Sequence, residues 1–387
     1  MVIPDSEWLN ALLRLLQAAQ SDLLWLLHAL RLTGDVHGQP AWPFALRAAG
    51  ETLIIDLGQA RRLAWSLACA GLAAVLGVVA CALVWRWRRA AAGLVLAAVA
   101  LVLLAPWPDA HVVLTEAVPT SFHQSPTGFT AASVVRGQAV FEQHCAACHG
   151  ADGRGRGPGA QAQAMWPPDL AGPLLWRRAD GDLFWSIAEG LHDREGRGTM
   201  PAFGGRLGDD AIWSAIDFMK TQGAGQALQA AGLWPRPVAV PDFAVRCDGG
   251  PPRRIASWRG QRLRIVATGD GAELLEDGRL VTLRLTAPGQ GAEGCTSDDP
   301  DARQALALVA GVAGVAPAAL TGMQFIADRG GWLRTRGLPG KTGWTESDLL
   351  CRTGTGALAA GTGDGMGALI AVMDAEPVRY VKGGFVH

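Results

Sequence analysis

The sequence predicts a multidomain chain: a helical hairpin in a membrane, then a small all-α domain, then an α/β tail. Three observations predict it. Two apolar stretches, 63–85 and 90–107, stand on either side of an arginine-bearing turn. The segment 131–222 begins and ends with helical patterns around the run "QHCAACHGADGRGRGPG" at 143–159. The last segment, 242–387, alternates short β-rich runs with Gly-rich turns. No internal repeat is evident.

Composition narrows the function. Formal net charge is −1, so there is no basic footprint for nucleic acid and no such partner is expected. The seven cysteines lie in three places: Cys69 and Cys81, Cys145 and Cys148, and Cys247, Cys295 and Cys351. That scatter is not a disulfide scaffold.

Residues 1–62 read as an amphipathic N-terminal region. Within it, 6–33 are rich in Leu, and Glu7, Arg14, Asp22 and Arg31 interrupt them. The apolar residues recur at helical spacing, which suits a helix on the membrane surface; a third span is the alternative. Residues 63–107 form the transmembrane helical hairpin. The first stretch carries no charge and is long enough to cross a bilayer. Trp65, Trp85, Trp87 and Trp107 stand at the ends of the two stretches, where indoles favour the membrane interface. Arg86, Arg88 and Arg89 in the turn place it in the cytoplasm by the positive-inside rule, with Arg61 and Arg62 at the opposite end as the exception. Whatever follows the second stretch then lies in the periplasm. Residues 108–130 and 223–241 read as linkers, the second rich in Gly, Ala and Pro.

Cys145, Cys148 and His149 form C-x-x-C-H, the attachment signature of c-type haem. Two thiols add across two porphyrin vinyl groups, and the adjacent His places its imidazole beneath the iron. A zinc site needs further ligands at similar spacing, and none is near. A thioredoxin-type redox pair needs a strand before it and a helix after it, whereas here a helical pattern comes before. For the second axial position the candidate is Met200, in "GRGTMPAFGGRL", since a thioether favours ferrous iron. Met165 and His192 compete for that role. Charges within 131–222 are nearly balanced, which implies no strong electrostatic docking.

The runs "RGQAVFEQHCAACHGADGRGRGPGA", "PPDLAGP", "GDLFWSIAEGL" and "TMPAFGGRLGDDAIWSAIDFMK" together resemble a class I cytochrome c over 131–222. The resemblance implies an all-α fold around one covalently attached haem c. It implies a helix crossing with Gly137 and Phe141 on one side and Trp213 and Ile216 on the other. It implies that the Pro158 carbonyl accepts from the His149 ring N–H, and that Pro167 or Pro168 lies against the haem face. Asp209 and Asp210 fall at the start of the last helix, where carboxylates are favoured. Haem attachment in bacteria occurs outside the cytoplasmic membrane, in agreement with the arginine turn.

"GETLIIDLGQARRLAW" at 50–65 resembles the end of the copper-resistance (copper-transport) membrane family. That likeness makes His28, His37, His111, His123, Cys69 and Cys81 candidate copper ligands. Cys69 and Cys81 are twelve apart, about 120° from a shared helical face, which suits packing better than ligation. The tail resembles the thioredoxin-like fold in its peroxiredoxin or copper-chaperone branch. "VPDFAVRCDGGPPRRIASWRGQRLRIVAT" carries the opening rhythm and "GMQFIADRGGWLRTRG" the later hairpin. Where that branch places its reactive Cys pair this chain has "GDGAELLEDG", and "ALTGMQF" lacks the proline expected before the later strand. The tail is therefore expected to lack a CxxC and to keep one disulfide among Cys247, Cys295 and Cys351, with the pair open.

These readings converge on a membrane-anchored periplasmic carrier of single electrons between redox partner proteins. It is not itself an enzyme. A redox-linked copper-handling protein and a haem sensor or enzyme with a displaceable Met ligand are the alternatives.

Overall fold

The computed structural model describes residues 6–49, 56–172, 175, 178–268, 276–287, 293–312, 320–352 and 364–378. Helix α1 (Ser6–Ala29) packs Leu9, Leu12 and Leu13 against Ala60, Leu63 and Val113. It leads into a hairpin, β1 (Asp35–Val36) and β2 (Gln39–Pro40). Its tip, His37 and Gly38, has φ of 49° and 72°, the paired positive values that match the twist of a two-residue hairpin.

Helix α2 (Leu57–Leu83) begins earlier than the expected 63. Asp56 caps it: its carboxylate accepts from the Gln59 backbone N–H at 3.1 Å. The start of the copper-family motif, 50–55, lies outside the described residues. Among the described residues α2 is the one helix long and apolar enough to cross a membrane. Its neighbour α3 (Arg88–Leu104) has 17 residues. Small Ala73, Ala80 and Ala91 are buried along the pair, while Leu72, Val78, Leu96 and Leu103 face outward, 52 to 74% exposed. Exposed apolar side chains in such a row mark a surface that meets something other than water. The base is closed by Gln59, whose amide donates to Asp109 at 2.9 Å and accepts from its backbone N–H at 3.1 Å.

The expected linker 108–130 is ordered structure. It contains α4 (Ala110–Val113) and β4 (Leu114–Glu116), and β4 pairs antiparallel with β3 (Leu46–Ala48). The N-terminal region thereby becomes a collar that grips the middle domain. Thr120 donates to the Gly181 carbonyl at 2.6 Å, and both Arg47 and Ser121 donate to Asp182. A Cβ on Gly181 would stand 1.7 Å from the Thr120 carbonyl oxygen, so only glycine allows this approach.

The middle domain is built from α5 (Ala131–His144), α6 (Ala146–His149), α7 (Asp180–Glu189) and α8 (Asp209–Ala231). Thr130 caps α5 by accepting from the Ser133 N–H at 3.0 Å. Helices α5 and α8 cross at Gly137, where a Cβ would lie 1.9 Å from the Ser214 carbonyl oxygen and 2.9 Å from Phe218 Cβ. This corrects the expected partners. Ser214 and Phe218 face Gly137 and Phe141, with the two phenyl centroids 5.3 Å apart. Trp213 turns instead to stack on Phe184 of α7 at 4.7 Å. Helix α8 also runs on to Ala231, through what reads in the sequence as a linker. Ala224 and Leu228 are buried there, and Gly232 ends the helix in the left-handed conformation.

The tail carries an eight-stranded mixed sheet in the order β7 (Val238–Ala239), β14 (Trp332–Gly337), β13 (Gln324–Ala327), β10 (Leu263–Ala267), β11 (Val281–Leu285), β12 (Cys295–Ser297), β8 (Ala244–Cys247), β9 (Arg253–Arg254). β10, β11 and β12 run parallel; the other pairings are antiparallel. Helix α9 (Pro300–Val309) packs against α5 and α8, and α10 (Gly365–Ala375) lies near the end. One buried core runs from Phe141 and Trp213 through Leu228 and Trp234 to Ile265 and Leu306. Cys247 and Cys295, opposite each other in register, form the disulfide; Cys351 is free and buried. Their sequence separation of 48 corresponds to about 4 kcal/mol in the chain-entropy account. The segment expected in place of the reactive Cys pair, at 269–275, lies outside the described residues.

Asp217 is the buried carboxylate of the middle domain. It accepts from the Thr127 and Ser133 hydroxyls, both at 2.6 Å, and so ties the segment before α5 to α8. Burial, opposed by those two hydroxyls, raises its carboxyl to about 6.

Two outcomes follow. Gly137→Val forces the α5 and α8 backbones apart and is expected to lower stability by about 3 kcal/mol in urea unfolding; an unchanged midpoint excludes the crossing. For Asp217 the folded value lies above the unfolded one of about 3.9, so the unfolded chain releases its proton first. The stabilisation is full below about pH 4 and is lost as pH rises to about 6, amounting to roughly 3 kcal/mol. Asp217→Asn is expected to flatten the urea-stability profile across that window, and an identical slope in both proteins would refute the assignment.

Candidate cofactor site

The C-x-x-C-H run sits where α5 ends. The Cys145 N–H still donates to the Phe141 carbonyl at 2.9 Å, so Cys145 closes α5 and opens α6. The N–H groups of Cys148 and His149 both donate to the Cys145 carbonyl, at 3.1 and 2.9 Å. This single turn places two thiols and an imidazole on one short element. The following loop is laced back onto it. Gly155 N–H donates to the His149 carbonyl at 2.8 Å, Gly157 N–H to Cys148 at 3.0 Å, and Gly159 N–H to Ala147 at 2.8 Å. A Cβ on Gly157 would lie 2.3 Å from the Ala147 oxygen, which explains the glycine.

Met200 lies across from this turn on a separate support. Strands β5 (Leu191–His192) and β6 (Gly198–Met200) form a hairpin with Leu191 opposite Met200. Gly190, at φ 75°, lets the chain leave α7 close under it: a Cβ there would meet the Met200 carbonyl oxygen at 2.6 Å. Cys145, Ala146, Leu170, Met200 and Leu207 all pack, half-buried, against the same core, and Phe203 is buried beside them. The two loops meet where His144, just before the motif, and Phe203, three residues after Met200, stand with ring centroids 6.4 Å apart. Met165 is 59% exposed on its loop and His192 is exposed on the hairpin.

The electrostatics suit a covalently held, apolar group. Burial, with the neighbouring Cys148 adding to it, pushes the Cys145 thiol up to about 11. Burial lowers the basicity of His149, against an opposing pull from the Pro168 backbone. Its Nδ1 is buried and makes no hydrogen bond among the described residues. Pro158, whose carbonyl is the expected acceptor for that ring, stands exposed on the loop. Gln163, which no motif marks, donates to Cys148 Sγ at 3.5 Å. Two thiols and an imidazole on one turn, with a thioether on a neighbouring loop, fit a c-type haem: Cys145 and Cys148 would form the thioethers and His149 would ligate the iron.

The candidate copper ligands do not converge. His28 pairs with Asp35 and His37 with Asp209, each at 3.0 Å, and His123 Nε2 donates to the Pro40 carbonyl at 3.2 Å. His111 is exposed, and Cys69 and Cys81 stand apart on α2. Among the described residues no three His, Cys, Asp or Glu side chains gather as a metal site.

Comparison with known proteins agrees with the middle domain. Residues 132–219 match the family model of cytochrome C oxidase, cbb3-type, subunit III. A cbb3-type cytochrome c oxidase subunit FixPc of Rhizobium leguminosarum bv. viciae is 36% identical over 91 residues, 23% of this chain and 28% of that protein. A CcoP subunit of an Azospirillum species is 30% identical over 163 residues, 36% of this chain and 50% of that protein. The chain therefore spans half or less of the length of these relatives. A chain of the Kuenenia stuttgartiensis reducing HAO-like protein complex shares 22% identity over 32% of this chain and 58% of its own, at a TM-score of 0.22 that carries no argument about fold. The middle domain is thus similar to the cytochrome c subunits of these oxidases.

Each cysteine contributes one link in this arrangement. Cys148→Ser is expected to leave one vinyl group unreacted, shifting the alkaline pyridine haemochrome band to longer wavelength. A spectrum identical to wild type would exclude the two-thiol attachment.

Proposed function

We propose that the chain is a membrane-anchored, periplasmic, single-haem electron carrier, with His149 and Met200 as the axial pair. The observation that carries this reading is that the motif and the Met200 loop meet, with the His144 and Phe203 ring centroids 6.4 Å apart. The C-x-x-C-H turn and the Met200 hairpin come from different elements and pack on the same core. The group would supply a one-electron iron couple. The chain's own residues do the rest. His149 is held by the backbone bonds of α6 and its loop. Met200 is held by the 191–200 hairpin, and Leu170, Phe203 and Leu207 keep water away. With both axial positions filled there is no open position for a substrate, so this is a carrier and not itself an enzyme.

The anchored, periplasmic reading rests on the outward-facing side chains of α2 and α3, on the arginine turn, and on relatives named as subunits of a cbb3-type cytochrome c oxidase. The disulfide Cys247–Cys295 suits the same compartment. By that likeness the redox partners are proteins of a membrane respiratory complex, and the one C-x-x-C-H run implies one haem c. For the tail we infer a thioredoxin-like scaffold without a reactive pair. What supports it is the strand order β14-β13-β10-β11, with β10 and β11 parallel, α9 before β13 and α10 after β14.

The test is the absorption spectrum of the purified full chain beside Met200→Ala. The ferric wild type is expected to show the weak near-infrared band of sulfur–iron ligation, and the variant to lose it. Absence of that band, with ready carbon monoxide binding to the reduced wild type, would establish an open iron and the sensor or enzyme reading instead.

A further inference from the structure

We propose that the outer face of α1 lies in the lipid headgroup layer of the membrane that the hairpin spans. This rests on the anchored reading above. Helix α1 has two apolar faces. The inner one buries Leu9, Leu12, Leu13 and Leu24. It is pinned at Gln20, whose side chain accepts from the Ala48 N–H of β3 at 2.7 Å. The outer one shows Leu15, Leu23, Leu26 and Leu30, 59, 40, 46 and 59% exposed. Leu30 continues the helical path, since its N–H donates to the Leu26 carbonyl at 2.9 Å. At 100° per residue these four leucines fall within an arc of about 80°. From Leu15 onward they form one exposed stripe; nearer the start of the helix the same direction is covered, at Leu12, by the contact with Ala60 and Leu63.

What covers the stripe follows from where the helix sits. The inner leucines of its first turns pack on Ala60 and Leu63, at the start of the apolar span. Indoles mark the same zone: Trp65 near the start of α2 and Trp107 just after α3 are 68 and 45% exposed, and Trp25 of α1 is 70% exposed. Indole rings collect at the headgroup level. Asp22 borders the stripe and Arg14 lies about 100° beyond its edge, both exposed, as in a helix that lies in the interface with its leucines down. A helix so placed also positions the cytochrome domain. The β1–β2 hairpin follows α1 directly, and its tip residue His37 bonds Asp209 at 3.0 Å, at the start of α8.

The test is site-specific photo-crosslinking of the full chain in vesicles of phosphatidylethanolamine and phosphatidylglycerol. A diazirine amino acid is placed in turn at Leu26 on the outer face, at Leu24 on the inner face, and at Val78, 71% exposed on α2. Expected are phospholipid adducts at Leu26 and Val78 and only intrachain adducts at Leu24. Phospholipid at Val78 with a second copy, or with water alone, at Leu26 overturns the proposal and leaves the anchor standing. Loss of phospholipid at both positions overturns the anchored reading and this proposal together. Phospholipid at Leu26 but not at Val78 supports the surface helix and removes the span.

Discussion

The backbone contact between Gly137 and Ser214 is the constraint on which the rest depends. It brings α5 and α8 so close that no side chain fits between them. Because α5 passes directly into the C-x-x-C-H turn, the crossing fixes where both thiols and the imidazole stand. Because α8 follows the loop that carries Met200, the same crossing also bears on where that loop stands. Phe141 and Phe218 fill the space just beyond the contact, and Asp217 on α8 ties back to Ser133 on α5. A substitution that parts the helices therefore moves both sides of the site at once.

Two further glycine contacts extend this body in both directions. Gly181 meets the Thr120 carbonyl and joins the collar to α7, while Gly225 meets the Leu308 carbonyl and joins α8 to α9 of the tail. Neither flank hangs on a loose tether. The core is continuous from α5 to the sheet, so the tail buries a face of the cytochrome domain rather than trailing from it. A small haem domain has limited apolar area of its own, and the added burial on α8 and α9 supplements it.

Much of the site was legible because its chemistry demands fixed spacing. Two cysteines and a histidine on one turn have few other uses, and Met200 stood out as a thioether in a Gly- and Pro-rich loop. The helix crossing was half legible. Gly137 was found by its size, but its partner was misplaced by one residue because the sequence does not say which face of α8 the carbonyl of Ser214 meets. The linkers were misread for a different reason. Gly, Ala and Pro at 223–241 look like loop residues, yet Ala224, Gly225 and Leu228 are small or apolar because α9 packs on them. Tertiary contact overrode local composition there. In 108–130 the two short elements gain their order from β3 and α7, which are distant in sequence.

Charge shows the same limit and bears on how a partner meets this protein. The near balance within 131–222 suggests a neutral domain, but the fold distributes the charges unevenly. On the collar side Asp182 is taken by Arg47, Asp209 by His37 and Asp180 by Lys220. On the loops that carry the motif and Met200, acids brace their own turns: Asp152 and Asp169 accept from nearby backbone N–H groups, and Asp193 is held low by the Arg197 backbone and side chain. Arg154, Arg156, Arg194 and Arg206 stand exposed on those same loops, but so do Asp152, Asp169 and Glu195. Near balance in the count is therefore a surface of mixed sign, whose attraction or repulsion for another charged surface is short in range and weakens with salt.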